Sequence, residues 1–495
     1  MTHLRSTVHV PVAAAIAAPA AAGVLALTAI VFPKAALVVA AALLGCGLIL
    51  YLLARPERTF LAMVFCLPIM GIGVLDVGVT VTLSKFAGAL LLLQLLAIRI
   101  QGRSSLRIPW ARDDAFLVAF WIYCLLAALV FLLSLDRVVP FSGFHLRGPY
   151  LRAINQLAVL ALMIGIYFAT RTVVRDKRMV RRTIQVVLLS FGLLAIYGLY
   201  QFVGHRFGLP LTDIRQGPTA ISRVGVFLGM TRISSLSGEP KHLALSMLPV
   251  IVLLLSLGAS GQTAWRTRRA SFLLLLLLVT VFMGTFSRGG FILLPLCVAA
   301  LPLLRGWGGS VRIWKTLILC AAVVVFAGLL GTRLMGVDLA EMFLFRIGET
   351  TVQHWEGTIE YPKTFIAWQT AAQHPVFGVG FGNATFYIKK ALALQGLTVL
   401  SPVENPPNQF LLLLVETGVV GLTLFALFAG RTLARIRKRV RAARDPETRA
   451  LGTALLSAAF AMLVVYTYMS WFSEPFLWFW LGLARAAADI PQPAD

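Results

Sequence analysis

The sequence NQFLLLLVETGVVGLTLFALF, residues 408–428, is an apolar run of membrane length. At about 1.5 Å per residue, a helix of this length crosses the roughly 30 Å hydrocarbon core of a bilayer. A polar, aromatic and glycine-rich stretch at 333–407 precedes the run, and the basic segment RTLARIRKRVRAAR at 431–444 follows it. A long loop, a span and a basic anchor in this order predict a membrane protein whose loop carries function.

The composition of the whole chain supports the same class. Hydrophobic residues make up 59% of the 495 residues and charged residues only 13%. The polar surface of a soluble domain could not cover so much apolar sequence. The chain is therefore predicted to be an all-α, polytopic integral membrane protein. We expect one transmembrane domain over residues 1–495 and, within it, one long outer loop at 333–407.

Fourteen apolar runs give the predicted number of spans. They lie near 12–31, 35–54, 59–75, 81–98, 115–135, 153–170, 183–203, 242–257, 271–286, 289–304, 316–330, 408–428, 451–468 and 471–483. Runs of about 15–17 residues are at the short end for a bilayer. The prediction is therefore about 12–14 transmembrane helices.

In a soluble chain, a net charge of +24 would indicate binding to nucleic acid. In a membrane protein, its interpretation depends on which loops carry the Lys and Arg residues. More than half of the 44 Lys and Arg residues fall in the tails and in loops on one predicted side. This bias predicts that both termini are cytoplasmic and that the segment 431–444 is a topology anchor beside anionic lipid head groups. No nucleic-acid partner is expected.

Histidines gather at the predicted outer side of the membrane. Those placed there are His145, His205, His242, His354 and His374. A transporter would need such proton-carrying groups near the midplane, on broken helices. The distribution favours an enzyme acting at the outer leaflet, with a lipid-linked oligosaccharide flippase or another transporter as the alternative.

Three segments on that side each open a helix that returns into the membrane. TRISSLSGEPKHLALSMLP, residues 231–249, puts Pro240 at a first helical position, where Glu239 can cap the helix. GTFSRGGFILLP, residues 284–295, sets Arg288 between two spans, with glycines behind it that admit another backbone. The third helix opens at Asn408, after two prolines.

These three helix starts predict an anion site. Helix N-termini carry partial positive charge and unpaired N–H groups, and arginine binds phosphate oxygens bidentately. Converging beside Arg232 and Arg288, they would bind a diphosphate. The alternative is that both arginines only reach lipid phosphates at the membrane surface.

An ordered set of motifs resembles a known family. GEPKHLA at 238–244 follows Arg232, and FSRGG at 286–290, HPVFGVGFGNATF at 374–386 and NQFLLLLVETGVVG at 408–421 come next. Over roughly 231–422 this series resembles the O-antigen ligase and O-antigen polymerase superfamily.

The resemblance implies a glycosyltransferase of the bacterial inner membrane. Members of this superfamily move glycan from an undecaprenyl-diphosphate carrier without a metal ion, nucleotide sugar or other cofactor. Ligases give the glycan to lipid A core, and polymerases give it to another lipid-linked repeat unit. The implied partners are the donor, a glycan acceptor, the lipid bilayer and other polysaccharide assembly and export proteins. The GEP motif and a missing family histidine favour a polymerase, with a ligase as the alternative.

The resemblance also implies roles for particular residues. Arg232 and Arg288 correspond to the arginines that hold the diphosphate. Asn408 matches the second member of the family's His-Asn pair, and Pro407 stands where the histidine is expected. That histidine is thought to take the proton from the acceptor hydroxyl, so the identity of the base is open.

The transfer needs stabilisation of negative charge on the leaving group and removal of a hydroxyl proton. We favour Glu239 or His242 as the proton acceptor, because their spacing places both near one helix end beside the arginines. The alternative for Glu239 is a capping residue that pairs with Arg232. His354 is the next candidate, against the alternative of a solvated loop residue. Two further candidates are Glu356 and Glu404.

Other residues are predicted to contact the acceptor or the loop. Residues 359–375, IEYPKTFIAWQTAAQHP, indicate an amphipathic helix on the membrane that carries Trp368, before a turn with three glycines. Arg147 and Arg152 form an outer basic group. Glu416 is an intramembrane carboxylate, a functional candidate by default, although it can also bond to a neighbouring helix. The glycines that follow it, at 418 and 421, are expected to allow close helix packing.

Overall fold

The computed structural model describes most of the chain. It covers residues 47, 49, 51–76, 80–102, 110–133, 149–210, 226–227, 230–260, 268–305, 311, 315, 318, 322, 360–396 and 405–490. The chain divides into two compact units, Met1–Thr59 and Phe60–Asp495. Every contact discussed below lies within the second unit.

The described chain is built mainly of helices. They are α1 (Pro56–Cys66), α2 (Leu83–Ile100), α3 (Asp114–Leu133), α4 (Pro149–Val173), α5 (Lys177–Phe207), α6 (Pro240–Ala259), α7 (Arg268–Gly284), α8 (Arg288–Arg305), α9 (Glu360–Gln373), α10 (Ala384–Leu394), α11 (Gln409–Ala442), α12 (Pro446–Val465) and α13 (Phe476–Asp489). A 3₁₀ turn at Ser235–Ser237 precedes α6. Two antiparallel hairpins join β1 (Gly73–Asp76) to β2 (Thr80–Thr82) and β3 (Val226–Phe227) to β4 (Met230–Thr231).

Seven of these helices are long and apolar enough to cross a membrane, namely α2, α3, α4, α5, α6, α11 and α12. Helices α7 and α8 are shorter apolar helices. This architecture confirms the prediction of an all-α, polytopic membrane protein. The runs predicted near 12–31, 35–54 and 316–330 lie wholly or mostly outside the described residues.

Helix α6 forms the centre of the described bundle. Nearly all of its side chains are buried, from Leu243 to Leu257, and it packs against α7, α8 and α12. A helix that is apolar on all sides is stable when other helices surround it. The start of α6 is therefore held by protein on several sides, which fixes the position of the residues at that end.

A group of ion pairs joins the ends of α3, α4, α11 and α13 that lie away from the start of α11. Arg171 Nη1 lies 2.7 Å from Asp114, and both side chains are almost fully buried. Asp113 lies 2.8 Å from Arg435 and 3.5 Å from Arg485. Removing one partner of a buried pair leaves an uncompensated charge, at a cost of about 3–5 kcal/mol. We call this group the charged end.

Helix α11 is broken in its middle at Gly418, whose φ of 61° and ψ of −168° are open almost only to glycine. Backbone from the long loop enters the break, and the Val379 N–H donates to the Val415 carbonyl at 2.9 Å. A side-chain carbon at Gly418 would collide with the Val376 carbonyl oxygen. The expectation that Gly418 serves helix packing is wrong, because its neighbour is loop backbone. Gly421 does lie close to another helix, at the ring of Tyr123 in α3.

The described part of the long loop, residues 360–396, packs on the first half of α11. Ile366 and Ala371 of α9 and Ile388 of α10 are buried in one apolar cluster with Leu411 and Val415 of α11. The predicted helix and the glycine turn after it are both present. The opposite face of α9 exposes aromatic side chains, so α9 is amphipathic, as its sequence indicates.

We predict that Gly418→Ala lowers the free energy of unfolding by about 3 kcal/mol, because the new methyl group strains the backbone and strikes the loop. Gly430→Ala on the same helix is the matched control, since no atom lies within 4 Å of a side-chain carbon there. Alanine favours helix over glycine, so the control should stabilise the protein by up to about 1 kcal/mol. The free energy of unfolding of both variants is measured in detergent. Equal effects of the two substitutions would contradict the break in α11 at Gly418.

A second prediction concerns Asp445, which caps α12. Its carboxylate accepts the N–H groups of Glu447 and Thr448, both at 3.2 Å, and pairs with Lys177 at 2.6 Å. The hydrogen bond from Lys177, followed by those from Thr448, holds the pKa of Asp445 well below its ordinary value of 3.8. A carboxyl whose pKa is depressed in the folded state stabilises the protein above its unfolded pKa, and that contribution is lost as the pH falls through the folded pKa.

Asp445→Ala should therefore cost about 1 kcal/mol at neutral pH through loss of the cap. Asp445→Asn keeps a capping oxygen but removes the charge, so its stability should fall less than that of the original protein as the pH drops below 4. Thermal midpoints measured across that range test the assignment. Identical acid profiles of the Asn variant and the original protein would contradict it.

Candidate functional site

The turn between α12 and α13, residues 466–475, closes on the start of α11. We call it the aromatic turn. The Gln409 N–H donates to the Tyr466 carbonyl at 2.9 Å, and the Gln409 side-chain oxygen accepts the Phe472 N–H at 2.9 Å. Within the turn, the Tyr466 hydroxyl donates to the Trp471 carbonyl at 2.8 Å. These bonds satisfy an irregular backbone that would otherwise be costly in an apolar surrounding. The predicted run at 471–483 is interrupted by this turn, and its helix begins only at Phe476.

Two more helices begin against the same turn. The ring of His242 in α6 meets the ring of Trp471 edge to face, with centroids 5.1 Å apart. Lys241 Nζ lies 4.9 Å from the centre of the Tyr468 ring. A side-chain carbon at Gly289, the second residue of α8, would collide with that tyrosine ring. The starts of α6, α8 and α11 therefore meet at one place, as the sequence predicts.

The glycines of α8 leave room for groups from neighbouring elements. The Tyr468 ring of the aromatic turn fills the space at Gly289. At Gly290, the Phe282 ring of α7 lies 2.9 Å, and the Cβ of Ala244 in α6 lies 3.3 Å, from where a side-chain carbon would be. The neighbour at Gly289 is therefore a side chain, whereas at Gly290 helix α6 also comes close.

Helix α2 joins the same group through a buried ion pair that sequence reasoning missed. Lys85 Nζ lies 2.6 Å from Glu474 Oε1, and the two side chains are 4% and 16% exposed. Lys85 stands out in the sequence as a basic residue inside an apolar run. Such a lysine needs a partner, and this was the available signal, but nothing local identifies Glu474, which lies 389 residues away.

Arg232 is bound to the turn between α7 and α8. Its Nε donates to the Thr285 carbonyl at 2.9 Å and its Nη2 to the Phe286 carbonyl at 3.2 Å. The backbone follows the same path, since the Ile233 N–H donates to the Gly284 carbonyl at 3.1 Å. Arg288 is only two residues beyond Phe286. The structure therefore brings together the two segments that carry the predicted diphosphate-binding arginines.

Both of these segments contain strained backbone. Ser235 and Phe286 are the non-glycine residues of the described chain with positive φ, at 51° and 47°. The Gln201 side chain of α5 holds the first of them, because its oxygen accepts the Ser235 N–H at 2.9 Å. The Ser235 hydroxyl donates to the Leu194 carbonyl at 2.7 Å. Strain of this kind costs about 1–3 kcal/mol and is concentrated at functional sites, so these segments are candidates for function on geometry alone.

Glu239 and His242 lie close together at the start of α6. Glu239 Oε2 is 3.7 Å from His242 Nε2. Pro240 occupies the first turn, as predicted, and Glu239 stands at the capping position without a capping hydrogen bond from its side chain. The alternative of a capping side chain at Glu239 is therefore wrong. Its carboxylate, 53% exposed, is directed to the histidine.

The amides at the start of α11 are already satisfied. The Asn408 side-chain oxygen accepts the N–H groups of Phe410 at 2.9 Å and Leu411 at 3.1 Å. The preceding N–H, that of Gln409, is bonded to the aromatic turn. The first turn of α11 therefore leaves no N–H group for the anion site predicted at the three helix starts.

Arg152 and Glu416 belong to a second polar cluster, which holds the long loop. Arg152 is buried, and its Nε donates to the Gly382 carbonyl at 2.6 Å. The carboxylate of Glu416, also buried, accepts the backbone N–H groups of Gly382 and Ala384. The backbone at Gly382 is thus held by Arg152 of α4 and by Glu416 of α11. In the structure both side chains bind the loop.

Trp368 is the remaining candidate within the described residues. It is 57% exposed on the outer face of α9. The other candidates lie outside the described residues, namely Arg147, His354, Glu356 and Glu404.

The helices and the candidate site together indicate the class of protein. The protein is a polytopic α-helical membrane protein whose candidate site is assembled from helix starts at one end of the bundle.

Comparison with known families then gives a more specific identification. Residues 272–426 match the family model described as O-antigen ligase, and this confirms the resemblance to the O-antigen ligase and polymerase superfamily. The matched segment contains Arg288, Asn408 and Glu416, whereas the segment of Arg232 and His242 and the aromatic turn lie outside it. The sequence matches no curated protein.

We predict that Gly289→Ala destabilises the protein, because the added methyl group strikes the Tyr468 ring. Tyr468→Ala on its own should also destabilise it, by loss of a packed ring. In the double variant the space left by the ring accepts the methyl group, so the two effects should fall short of their sum by about 1 kcal/mol or more. A double-mutant cycle on unfolding in detergent measures this coupling. Additive effects would show that α8 does not lie against the aromatic turn.

Proposed function

We propose that the protein transfers glycan from an undecaprenyl-diphosphate-linked donor to a lipid-linked glycan acceptor at the outer face of the inner membrane. The family implies a glycosyltransferase of the O-antigen ligase and polymerase type. The observation that carries the finer proposal is the bonding of Arg232 to the turn that leads into Arg288. This contact brings the segment of Arg232 to the start of the helix that Arg288 opens.

The site supplies what a diphosphate leaving group needs. Negative charge grows on the diphosphate as the bond to the anomeric carbon breaks, and fixed cations and N–H dipoles stabilise it. Arg288 begins α8, where the helix dipole adds to its own charge. Arg232 is held rigidly by two backbone carbonyls, so little reorganisation is needed when the charge develops.

His242 is proposed to accept the proton, supported by Glu239. The hydroxyl oxygen of the acceptor forms a bond to the anomeric carbon, and the electron pair of the breaking bond leaves with the diphosphate. The hydroxyl proton passes to the His242 imidazole, and the nearby carboxylate of Glu239 stabilises the resulting cation. This assignment replaces the family histidine, whose place is taken by Pro407.

The orientation in the membrane is part of the proposal. The basic segment at 431–444 belongs to α11 and extends past the charged end, whereas the candidate site lies at the other end of the same helix. The positive-inside rule puts the charged end in the cytoplasm and the site at the outer face. The other assembly and export proteins of a polysaccharide pathway would then meet the donor and product in the same membrane.

The flippase alternative also has an observation in its favour. Helix α11 is broken beside the buried Glu416, and broken helices with intramembrane carboxylates are typical of transporters. The break in this protein is filled by its own loop, and Glu416 binds loop amides. Irregular backbone buried in this way is tolerated without a transport path. A flippase would move the lipid without breaking its bond to the glycan, so product analysis separates the two functions.

We predict that the purified protein converts lipid-linked repeat units into longer chains and releases undecaprenyl diphosphate. Arg288→Ala should slow this by about 10²–10³-fold, the usual cost of losing one stabiliser of transition-state charge. Arg269→Ala is the matched control, because Arg269 is an exposed arginine near the other end of α7. The control should keep full activity. Gel analysis of chain length and assay of the released lipid measure both variants.

The acceptor is tested by comparing two mixtures. Lipid-linked repeat unit alone should give longer chains if the protein is a polymerase. A ligase would give product only when lipid A core or another separate acceptor is added. If the folded protein gives no product in either mixture, glycan transfer is contradicted. Movement of the intact lipid would then be measured in vesicles.

A further inference from the structure

The ion pair between Lys85 and Glu474 has no role in the reaction as proposed above. It lies at the start of α2, and its two side chains are almost buried. One carboxylate oxygen of Glu474, Oε2, is buried and has no hydrogen-bond partner among the described residues. A buried ion pair of this kind contributes little net stability, because desolvation offsets its attraction, and an apolar pair of similar volume often does as well or better. Stability alone is therefore a poor explanation for these charges.

The pair is connected to His242 by a short chain of contacts. The Glu474 N–H donates to the Trp471 carbonyl at 2.9 Å, and the Trp471 ring packs against the His242 ring. Lys85 of α2 thus holds a residue of the turn whose Trp471 ring packs against the proposed proton acceptor in α6.

The same turn also supports the other helix starts. Tyr468 lies between Lys241 of α6 and Gly289 of α8, and Phe472 is bonded to Gln409 of α11. Glu474 lies at the end of this turn, directly before Pro475 and α13. Its ion pair with Lys85 therefore sets the position of the whole turn. A directional ion pair specifies one position of the turn, whereas apolar contacts would permit several.

We propose that Lys85 and Glu474 are positioning residues for glycan transfer: their ion pair holds the turn in the place where its Trp471 ring orients His242. Neither residue touches the substrate. The inference rests on the proposed function, with His242 as the proton acceptor.

The test uses the full-length protein in detergent and the chain-growth assay. Glu474→Gln keeps the size of the side chain and an oxygen that accepts from Lys85, but removes the charge. We expect kcat to fall about 100-fold, the scale of a 1 Å misplacement at a reacting centre, while KM for the lipid-linked donor changes by less than about twofold. Lys85→Arg keeps the ion pair and should keep kcat close to that of the original protein.

The double variant Lys85→Met with Glu474→Met separates positioning from stability. An apolar pair should leave the thermal midpoint unchanged or higher, and the proposal expects kcat to fall as in Glu474→Gln. Full kcat in either folded variant would overturn the proposal. Failure of the double variant to fold would also overturn it, because the charges would then serve stability. If the original protein makes no product, the proposed function itself fails, which is a different result.

Discussion

The bond between Gln409 and the aromatic turn is the constraint on which the candidate site depends. Gln409 uses both its backbone N–H and its side-chain oxygen to hold residues 466–475. In a membrane, backbone that leaves a helix must find its partners within the protein, so this turn has few permitted positions. Because the turn is fixed, the starts of α2, α6 and α8 that contact it are fixed as well.

Charged side chains have different kinds of partner at the two ends of the bundle. At the charged end, three carboxylates pair with three arginines and join four helices. They are Asp113, Asp114 and Asp489 with Arg171, Arg435 and Arg485. At the site end, Arg232 donates to the backbone carbonyls of Thr285 and Phe286. These two bonds tie the segment of Arg232 to the turn that leads into Arg288.

The sequence predicts the parts of this structure that depend on local patterns. Apolar runs give the helices, Pro240 marks the start of α6, and Arg288 marks the start of α8. The parts that depend on distant residues were not predicted. Glu474 is far from Lys85 in the chain, and Gly418 looks like a packing glycine until the loop that enters its helix is known. Asn408 matches a position of the family's motif, but in the structure its side chain caps α11.

The position of the proposed base follows from how α11 begins. Residue 407 is proline, and the next residues commit their polar groups to the cap and to the aromatic turn. The Asn408 and Gln409 side chains therefore hold the helix start. Across the turn, α6 begins with proline, which lacks an N–H, and brings a carboxylate and an imidazole within 3.7 Å of each other. The Trp471 ring contacts His242, so it connects the start of α6, where the proposed base lies, to the turn that holds the start of α11.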